Sequence, residues 1–113
     1  MKFRTSDGKE YNLEYTRASV RYGEAIGFKI ETFDNKIFTN TEDLFYIGFL
    51  KNHADVTKEE TYRILYEELG GLKAEEVSDL VTAYMEPYST LINTDGEPDE
   101  NGKVKNVRRA TIL

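Results

Sequence analysis

The residue types that usually carry chemistry are sparse in this chain. His53 is its only histidine, and there is no cysteine. A lone histidine lacks the base and the orienting partner that nucleophilic or acid–base catalysis requires. It also cannot form a metal site that needs a pair of histidines. Because His53 falls near the end of a predicted helix, where a cation is favourable, we expect it to have a capping or surface role.

Carboxylates are abundant, but their spacing does not suit acid–base catalysis. The pairs Glu59-Glu60, Glu67-Glu68 and Glu75-Glu76 are adjacent in sequence, and adjacent residues of a helix do not face each other. Residues 95–102, DGEPDENG, resemble a calcium loop but lack its alternating acidic spacing and its glutamate at the twelfth position. Glycine-rich phosphate loops and nucleophile-elbow motifs do not occur in the sequence. The sequence therefore predicts no catalytic residue, no cofactor and no metal.

Length and charge narrow the class of protein. A chain of 113 residues can bury a real core as a single domain. Its formal net charge of -6 opposes nucleic-acid binding, and Arg108-Arg109 alone is too small a basic patch. The first residues lack the apolar core of a signal peptide, and no apolar run approaches the ~20 residues that cross a bilayer. We expect a cytoplasmic protein with neither nucleic acid nor membrane as a partner.

Residues 74–92 are the stretch around which the other elements are expected to pack. Their apolar side chains follow the i, i+3, i+4, i+7 spacing of one helical stripe. Pro87 removes a backbone hydrogen bond, which predicts a kink there or a break followed by one more turn. The stripe consists of Val77, Leu80, Val81, Tyr84, Met85, Tyr88, Leu91 and Ile92.

The N-terminal part predicts a hairpin and then a helix. Residues 3–15 alternate around Asp7-Gly8, a strong hairpin signal. Thr16 is the expected N-cap of a helix that Gly27 ends. Residues 28–38 alternate again, which indicates either a strand pair or a strand followed by an ordered loop. The expected inward residues of the helix are Val20, Ala25 and Ile26.

Further helices are predicted before residue 74. The first of these helices is predicted to begin at Asn40 or Thr41. Its residues 44–50 are almost all apolar, so the helix has almost no polar face. That helix is therefore either the central core helix or partly open to a partner. Thr57 and Glu60 predict a capping box for a helix over residues 56–69, which Gly70-Gly71 ends. The expected stripe of this second helix is Tyr62, Leu65, Tyr66 and Leu69.

These elements predict an α+β fold, with an N-terminal β-hairpin packed on a bundle of about four helices. We expect residues 1–92 to form a single globular domain. Residues 93–113 are expected to form an acidic loop and a basic, mobile C-terminal tail, because the loop has no large apolar residue.

The order of elements resembles that of a known family. The supporting patterns are Leu44-Phe45, the junction NHADVTKEE at residues 52–60, and the Leu69-Gly70-Gly71 turn. Over residues 11–92 the chain resembles the tail assembly chaperones of long-tailed bacteriophages and prophages of Gram-positive bacteria. The resemblance implies a non-catalytic protein of the host bacterial cytoplasm. Such a protein binds the long, helical tape measure protein and helps to bring tail tube subunits to it.

Binding a helical partner requires spare apolar surface on a helical scaffold. We expect that surface on the helix around residues 44–50 and at the far end of the stripe of residues 74–92. Met and Tyr are adaptable contact residues. In the alternative, the same side chains pack on one another and complete the core. The expected partner-binding residues are Leu44, Phe45, Phe49, Tyr84, Met85 and Tyr88.

Other classes of protein fit the same sequence. One is a head–tail completion protein that assembles into a ring, and a homo-oligomer is left open. Another is a small regulatory or inhibitor protein whose acidic surface mimics nucleic acid, which requires the acidic residues to gather on one face.

Overall fold

A computed structural model describes residues 1–91 and 110–113. The strands are β1 (Lys2–Arg4) and β2 (Glu10–Asn12), and the α-helices are α1 (Arg17–Ala25), α2 (Ile37–Phe49), α3 (Lys58–Arg63) and α4 (Ala74–Met85). A 3-10 turn, Ile30–Lys36, precedes α2; a π-helical turn, Ile64–Glu68, continues α3; and a 3-10 turn, Glu86–Thr90, continues α4. The predicted α+β class, with a hairpin on a helical bundle, is confirmed.

The hairpin closes through the turn that the sequence indicated. Phe3 pairs with Tyr11 in antiparallel register. The Thr5 N–H donates to the Lys9 carbonyl at 2.9 Å, and the Gly8 N–H donates to the Thr5 carbonyl at 3.0 Å. Gly8 has a φ of 86°, which glycine adopts without strain. The turn is therefore a type I turn followed by a left-handed glycine, longer than the shortest Asp-Gly form.

α2 is the central helix of the core. Leu44, Phe45, Ile47 and Phe49 are fully buried. The hairpin covers them from one side, since the Phe3 ring lies 6.2 Å from the Phe45 ring. Of the alternatives left open for residues 44–50, the structure shows the central core helix.

α1 begins as predicted, but its inward face differs from the prediction. The Ser19 N–H donates to the Thr16 hydroxyl at 3.2 Å, which caps the helix. Val20 is buried as expected, whereas Ala25 and Ile26 are exposed. Gly23 is buried in their place, and a Cβ there would clash with the Tyr84 hydroxyl. The missing side chain makes room for the tip of the Tyr84 ring, which reaches from α4 to α1.

The prediction for residues 28–38 is wrong. In the described part of the chain this segment contains no strand, and α2 begins at Ile37, before Asn40 and Thr41. The Thr41 hydroxyl donates to the Ile37 carbonyl at 2.6 Å inside the helix and does not cap it. The alternation of apolar residues has another cause: Phe28 is buried, with its ring 5.1 Å from that of Tyr84.

The N-cap of α3 and the inward face of α3 and its π-helical turn match the predictions only in part. Thr57 caps α3 by accepting from the Glu60 N–H at 3.2 Å. The Glu60 carboxylate does not complete the capping box, because it accepts from Arg63 Nη2 at 2.7 Å. The inward stripe also differs, since Ile64 is buried and Tyr66 is exposed.

The turn after α3 and the end of α4 match the sequence signals. Gly70 and Gly71 both have left-handed φ values, 66° and 89°. α4 ends at Met85, and the 3-10 turn that carries Pro87 follows, which is the predicted break. The predicted domain boundary and the acidic loop lie outside the described residues. Of the predicted tail, residues 110–113 are described and are exposed.

Candidate partner-binding groove

The predicted contact residues divide between the core and the surface. Leu44, Phe45, Phe49 and Tyr84 are fully buried. Their assignment to a partner surface is therefore corrected to a core role: the hairpin rings pack on Phe45 and Phe49, and α1 contacts Tyr84. Of the remaining two, Met85 is 43% exposed, and Tyr88 is half-buried.

Two tyrosine hydroxyls are part of this core. The Tyr84 hydroxyl donates to the Val20 carbonyl at 3.4 Å, and the Tyr15 hydroxyl donates to the Leu44 carbonyl at 2.6 Å. Burial raises the pKa of both phenols, and the neighbouring Tyr88 and Glu24 raise that of Tyr84 further. Both side chains therefore stay protonated. Tyr84 ties α4 to α1, and Tyr15 ties the segment before α1 to α2.

His53 closes the outer edge of the hairpin. Its Nε2 accepts from the Asn12 N–H at 3.0 Å. The Asn52 side-chain amide donates to the Asn12 carbonyl at 3.0 Å. Together these side chains satisfy the backbone N–H and carbonyl of Asn12, which face away from β1. His53 thus caps a strand edge, a role that its position in the sequence did not indicate.

An exposed apolar groove lies between the first turn of α2 and the segment from α3 to α4. Ile37 is 57%, Phe38 70% and Tyr66 45% exposed. Two concavities, of about 670 and about 260 Å³, lie side by side, since both are lined by Ile37, Thr41 and Leu72. We call them together the α2–α4 groove. Its lining is Phe33, Asp34, Ile37, Phe38, Thr41, Leu65, Tyr66, Gly71, Leu72, Ala74, Val77, Ser78, Val81 and Thr82.

The local sequence explains both walls of the groove. The left-handed Gly70 and Gly71 end the helical segment before Leu72, so the chain can reverse into α4. On the opposite wall, the additional first turn of α2 carries Ile37 and Phe38 beyond the core. Exposed apolar residues that gather in one concavity are typical of a contact surface, whereas single ones are not.

The aromatic wall is held in place by its own contacts. The rings of Phe38 and Tyr66 are stacked with centroids 6.3 Å apart. The Tyr66 hydroxyl donates to Glu42 Oε2 at 2.6 Å. Burial, together with the hydrogen bond to the Glu42 carboxylate, raises the pKa of Tyr66 to about 12. The wall is therefore ordered before any partner arrives, which lowers the entropy cost of binding.

The rim of the groove is acidic. Asp34 is its one charged lining residue. One stripe of α4 and its C-cap contains Glu75, Asp79, Thr82 and Glu86. These residues are spaced at i, i+4, i+7 and i+11, so their side chains lie on the same side of the helix. Because Thr82 lines the groove, Glu75 and Asp79 flank its edge, and Glu86 continues the row one turn beyond it. None of the four acidic residues forms an ion pair with another described residue.

The other concavities offer less apolar surface. A cleft of about 210 Å³ between α1 and the last 3-10 turn includes Arg17, Arg21 and Tyr88. There the Tyr88 hydroxyl donates to Glu24 Oε2 at 3.2 Å, so this predicted contact residue joins two elements of the fold. Another concavity, of about 580 Å³, lies against the hairpin and is lined mainly by polar side chains, among them the paired Arg4 and Glu10.

The described residues contain neither a metal-binding cluster nor a helix that could span a membrane. In the described ranges, no group of three or more His, Cys, Asp or Glu side chains is placed to hold a metal ion. Nor is any helix of that part of the chain long and apolar enough to cross a membrane.

Sequence reasoning missed the residues that build the groove. Ile37 and Phe38 were assigned to a strand or loop, because the preceding alternation of residues 28–36 extended into them. One signal could have located them. Ile37 stands at i and Leu44 at i+7, with Thr41 between them at i+4, so a helix extended backwards by one turn has a continuous stripe.

Comparison with known proteins gives one match. No curated protein and no solved structure matches the chain. The family described as "Domain of unknown function (DUF5055)" matches residues 1–107, nearly the whole sequence. The description of that family names no activity, ligand or partner. The chain belongs to the DUF5055 family.

Proposed function

We propose that the protein is a non-catalytic phage tail assembly chaperone that binds the tape measure protein and supports tail tube assembly. The observation that carries the binding part is the α2–α4 groove, where Ile37, Phe38 and Tyr66 expose apolar surface in one concavity. A groove between helices is the usual receptor for the apolar face of an amphipathic helix. The resemblance over residues 11–92 supplies the identity of the partner.

The dimensions of the groove suit a short helical segment. Residues 74–82 of α4 line one wall. At about 1.5 Å per residue this wall is roughly 12 Å long, or somewhat more than two helical turns. A helix lying along it can place side chains at i, i+3, i+4 and i+7 between the walls. A long helical protein offers many such segments.

The expected strength of one contact also suits a chaperone. Fully burying a Phe or Ile side chain stabilises by about 1.5–3 kcal/mol, so burying the rest of the exposed Phe38 and Ile37 contributes roughly 1–2 kcal/mol each. The loss of translational and rotational freedom opposes this gain. One segment is therefore held weakly and reversibly, and several copies of the protein on one long partner keep its apolar stripes covered until assembly.

The direct test is co-expression with the tape measure protein encoded nearby, followed by a solubility assay and a pull-down. The informative variant combines Phe38→Ser and Tyr66→Ser, which remove apolar surface from the groove and leave the core intact. Ile26→Ser is the matched control, because Ile26 is exposed but is not among the groove residues. We expect the wild type and the control to solubilise and co-purify the large protein, and the groove variant to do neither.

Two results would count against the proposal. If the wild type neither solubilises nor retains the tape measure protein, the assignment of partner is wrong. If the isolated chain forms a stable ring or dimer that covers Phe38, the groove is a self-association surface. Sedimentation of the wild type and the Phe38→Ser variant distinguishes that second case, because the substitution would then dissociate the oligomer.

A further inference from the structure

We infer that the helix bound in the α2–α4 groove carries Lys or Arg side chains along one flank of its apolar stripe. The inference rests on the proposed function and adds the chemistry of the partner segment. Its basis is the pairing of an apolar concavity with a row of carboxylates along one edge. An amphipathic helix with an uncharged or acidic flank would satisfy the concavity and leave the row unpaired.

The row of carboxylates on α4 gives this side of the groove a negative charge. Glu75, Asp79 and Glu86 are exposed, and the groove lining contains no Lys, Arg or His. Within residues 1–91 and 110–113 none of the three carboxylates has an ion-pair partner. The potential along this edge is therefore negative and uncompensated by neighbouring side chains.

Helix formation favours only one of these three negative charges. Glu75 lies in the first turn of α4, where the helix dipole favours an anion. Asp79 follows it at i+4, and like charges at that spacing repel each other. Glu86 is the C-cap of α4 and the first residue of the 3-10 turn that continues it, so it lies at neither end of this helical segment. Asp79 therefore opposes the stability of its own helix, and a cationic partner removes that repulsion.

The spacing of the three carboxylates along α4 determines where the basic residues of the partner helix must lie. Glu75 and Asp79 are separated by roughly 6 Å along the helix axis, and Asp79 and Glu86 by roughly 10 Å. A partner helix lying beside α4 has the same rise per residue. In a partner helix that runs parallel to α4, basic residues at i, i+4 and i+11 therefore match the row, while its apolar residues enter the groove. Charge complementarity of this kind sets register and partner choice more than affinity.

The test uses synthetic amphipathic peptides of about 18 residues, each long enough to exceed the groove. All share one leucine stripe, and the flank carries Lys, Gln or Glu at the i, i+4 and i+11 positions. Affinity is measured by fluorescence anisotropy against the wild type. We expect the Lys peptide to bind about tenfold more tightly than the Gln peptide, since three exposed ion pairs add modestly. The Glu peptide should bind more weakly than either.

Matched variants test whether the row on α4 causes the preference for the Lys peptide. Neutralising the row, with Glu75→Gln, Asp79→Asn and Glu86→Gln, should abolish the preference for the Lys peptide. The control neutralises three carboxylates elsewhere on the surface that also lack an ion pair: Asp55→Asn, Glu59→Gln and Glu67→Gln. It should retain the preference. Raising NaCl from about 0.05 M to about 0.5 M should reduce the preference in the wild type, because exposed charges are screened.

The possible results separate this inference from the proposed function. Equal affinity for the three peptides, lost in the Phe38→Ser variant, overturns the basic flank and leaves groove binding in place. A preference for Lys that both neutralised triples reduce equally reflects net charge alone and also overturns the inference. If no peptide binds and the tape measure protein is not captured, both proposals fail.

Discussion

The contact between Gly23 and Tyr84 yields a sharp test of how the helices pack. A Cβ on Gly23 would overlap the Tyr84 hydroxyl. The Tyr84 ring cannot move aside easily, because the rings of Tyr15 and Phe28 lie 5.5 and 5.1 Å from it. Overpacking of this kind costs about 1–3 kcal/mol, whereas replacing Gly by Ala inside a helix recovers up to about 1 kcal/mol. Gly23→Ala should therefore destabilise the protein by about 1 kcal/mol net.

The same geometry predicts that the effect is largely lost in a second background. Tyr84→Phe removes the hydroxyl and its 3.4 Å hydrogen bond to Val20, at a cost of about 1 kcal/mol. With the hydroxyl absent, the Cβ of Gly23→Ala loses its overlap and keeps one tight contact, 3.2 Å from Ile47 Cδ1, so adding that substitution to Tyr84→Phe should be close to neutral. The coupling free energy between the two sites is then about 1 kcal/mol or more.

Urea denaturation of the wild type, the single variants and the double variant measures that coupling. Circular dichroism of each native state serves as the control for a changed fold. Additive effects, with Gly23→Ala equally destabilising in both backgrounds, would refute the close contact between Gly23 and the Tyr84 hydroxyl. A stabilising Gly23→Ala in the wild type would refute it more strongly, because helix propensity alone would then decide the outcome.

Three further predictions concern the core, the hairpin and the groove wall. Tyr84→Ser should lower the free energy of unfolding by about 3 kcal/mol or more, as for other large core truncations, and a urea midpoint close to that of the wild type would contradict the core assignment. His53→Ala should cost about 1 kcal/mol by leaving the partly buried Asn12 N–H without its acceptor; unchanged exchange of that amide with solvent would argue against the contact. Tyr66 should ionise near pH 12, and Glu42→Gln should lower that pKa by removing the charged acceptor. Because the folded pKa exceeds the usual value of about 10, the contribution of Tyr66 to stability is complete below pH 10 and is lost as the pH rises towards 12. Absorbance at 295 nm, with Tyr66→Phe to identify the signal, measures the shift, and a Tyr66 titration near pH 10 in the wild type would contradict the model of the groove wall.

Local signals in the sequence located the turns and helix starts that depend on a few neighbouring residues. Thr16 and Thr57 cap helices through their own hydroxyls, and the turns at Gly8 and Gly70-Gly71 require left-handed backbone. Each of these features depends on residues within one turn of the chain. That is why they could be read without knowing which elements pack together.

The division of apolar residues between core and surface could not be read in the same way. Tyr84 and Phe38 are both large and aromatic, yet one is fully buried and the other is 70% exposed. The difference depends on Gly23, which lies far from Tyr84 in sequence and gives it room against α1. It also depends on where α2 begins, because the additional turn carries Phe38 beyond the elements that cover the core. Both are properties of tertiary packing.

Amide hydrogen exchange of the protein, alone and in complex with the tape measure protein, would test the central claim most directly. We expect binding to slow exchange in residues 37–41 and 74–82, the facing walls of the α2–α4 groove, and to leave exchange in the hairpin unchanged. Protection confined to the hairpin, or to the cleft that includes Arg17 and Arg21, would contradict the assignment of the groove as the binding site.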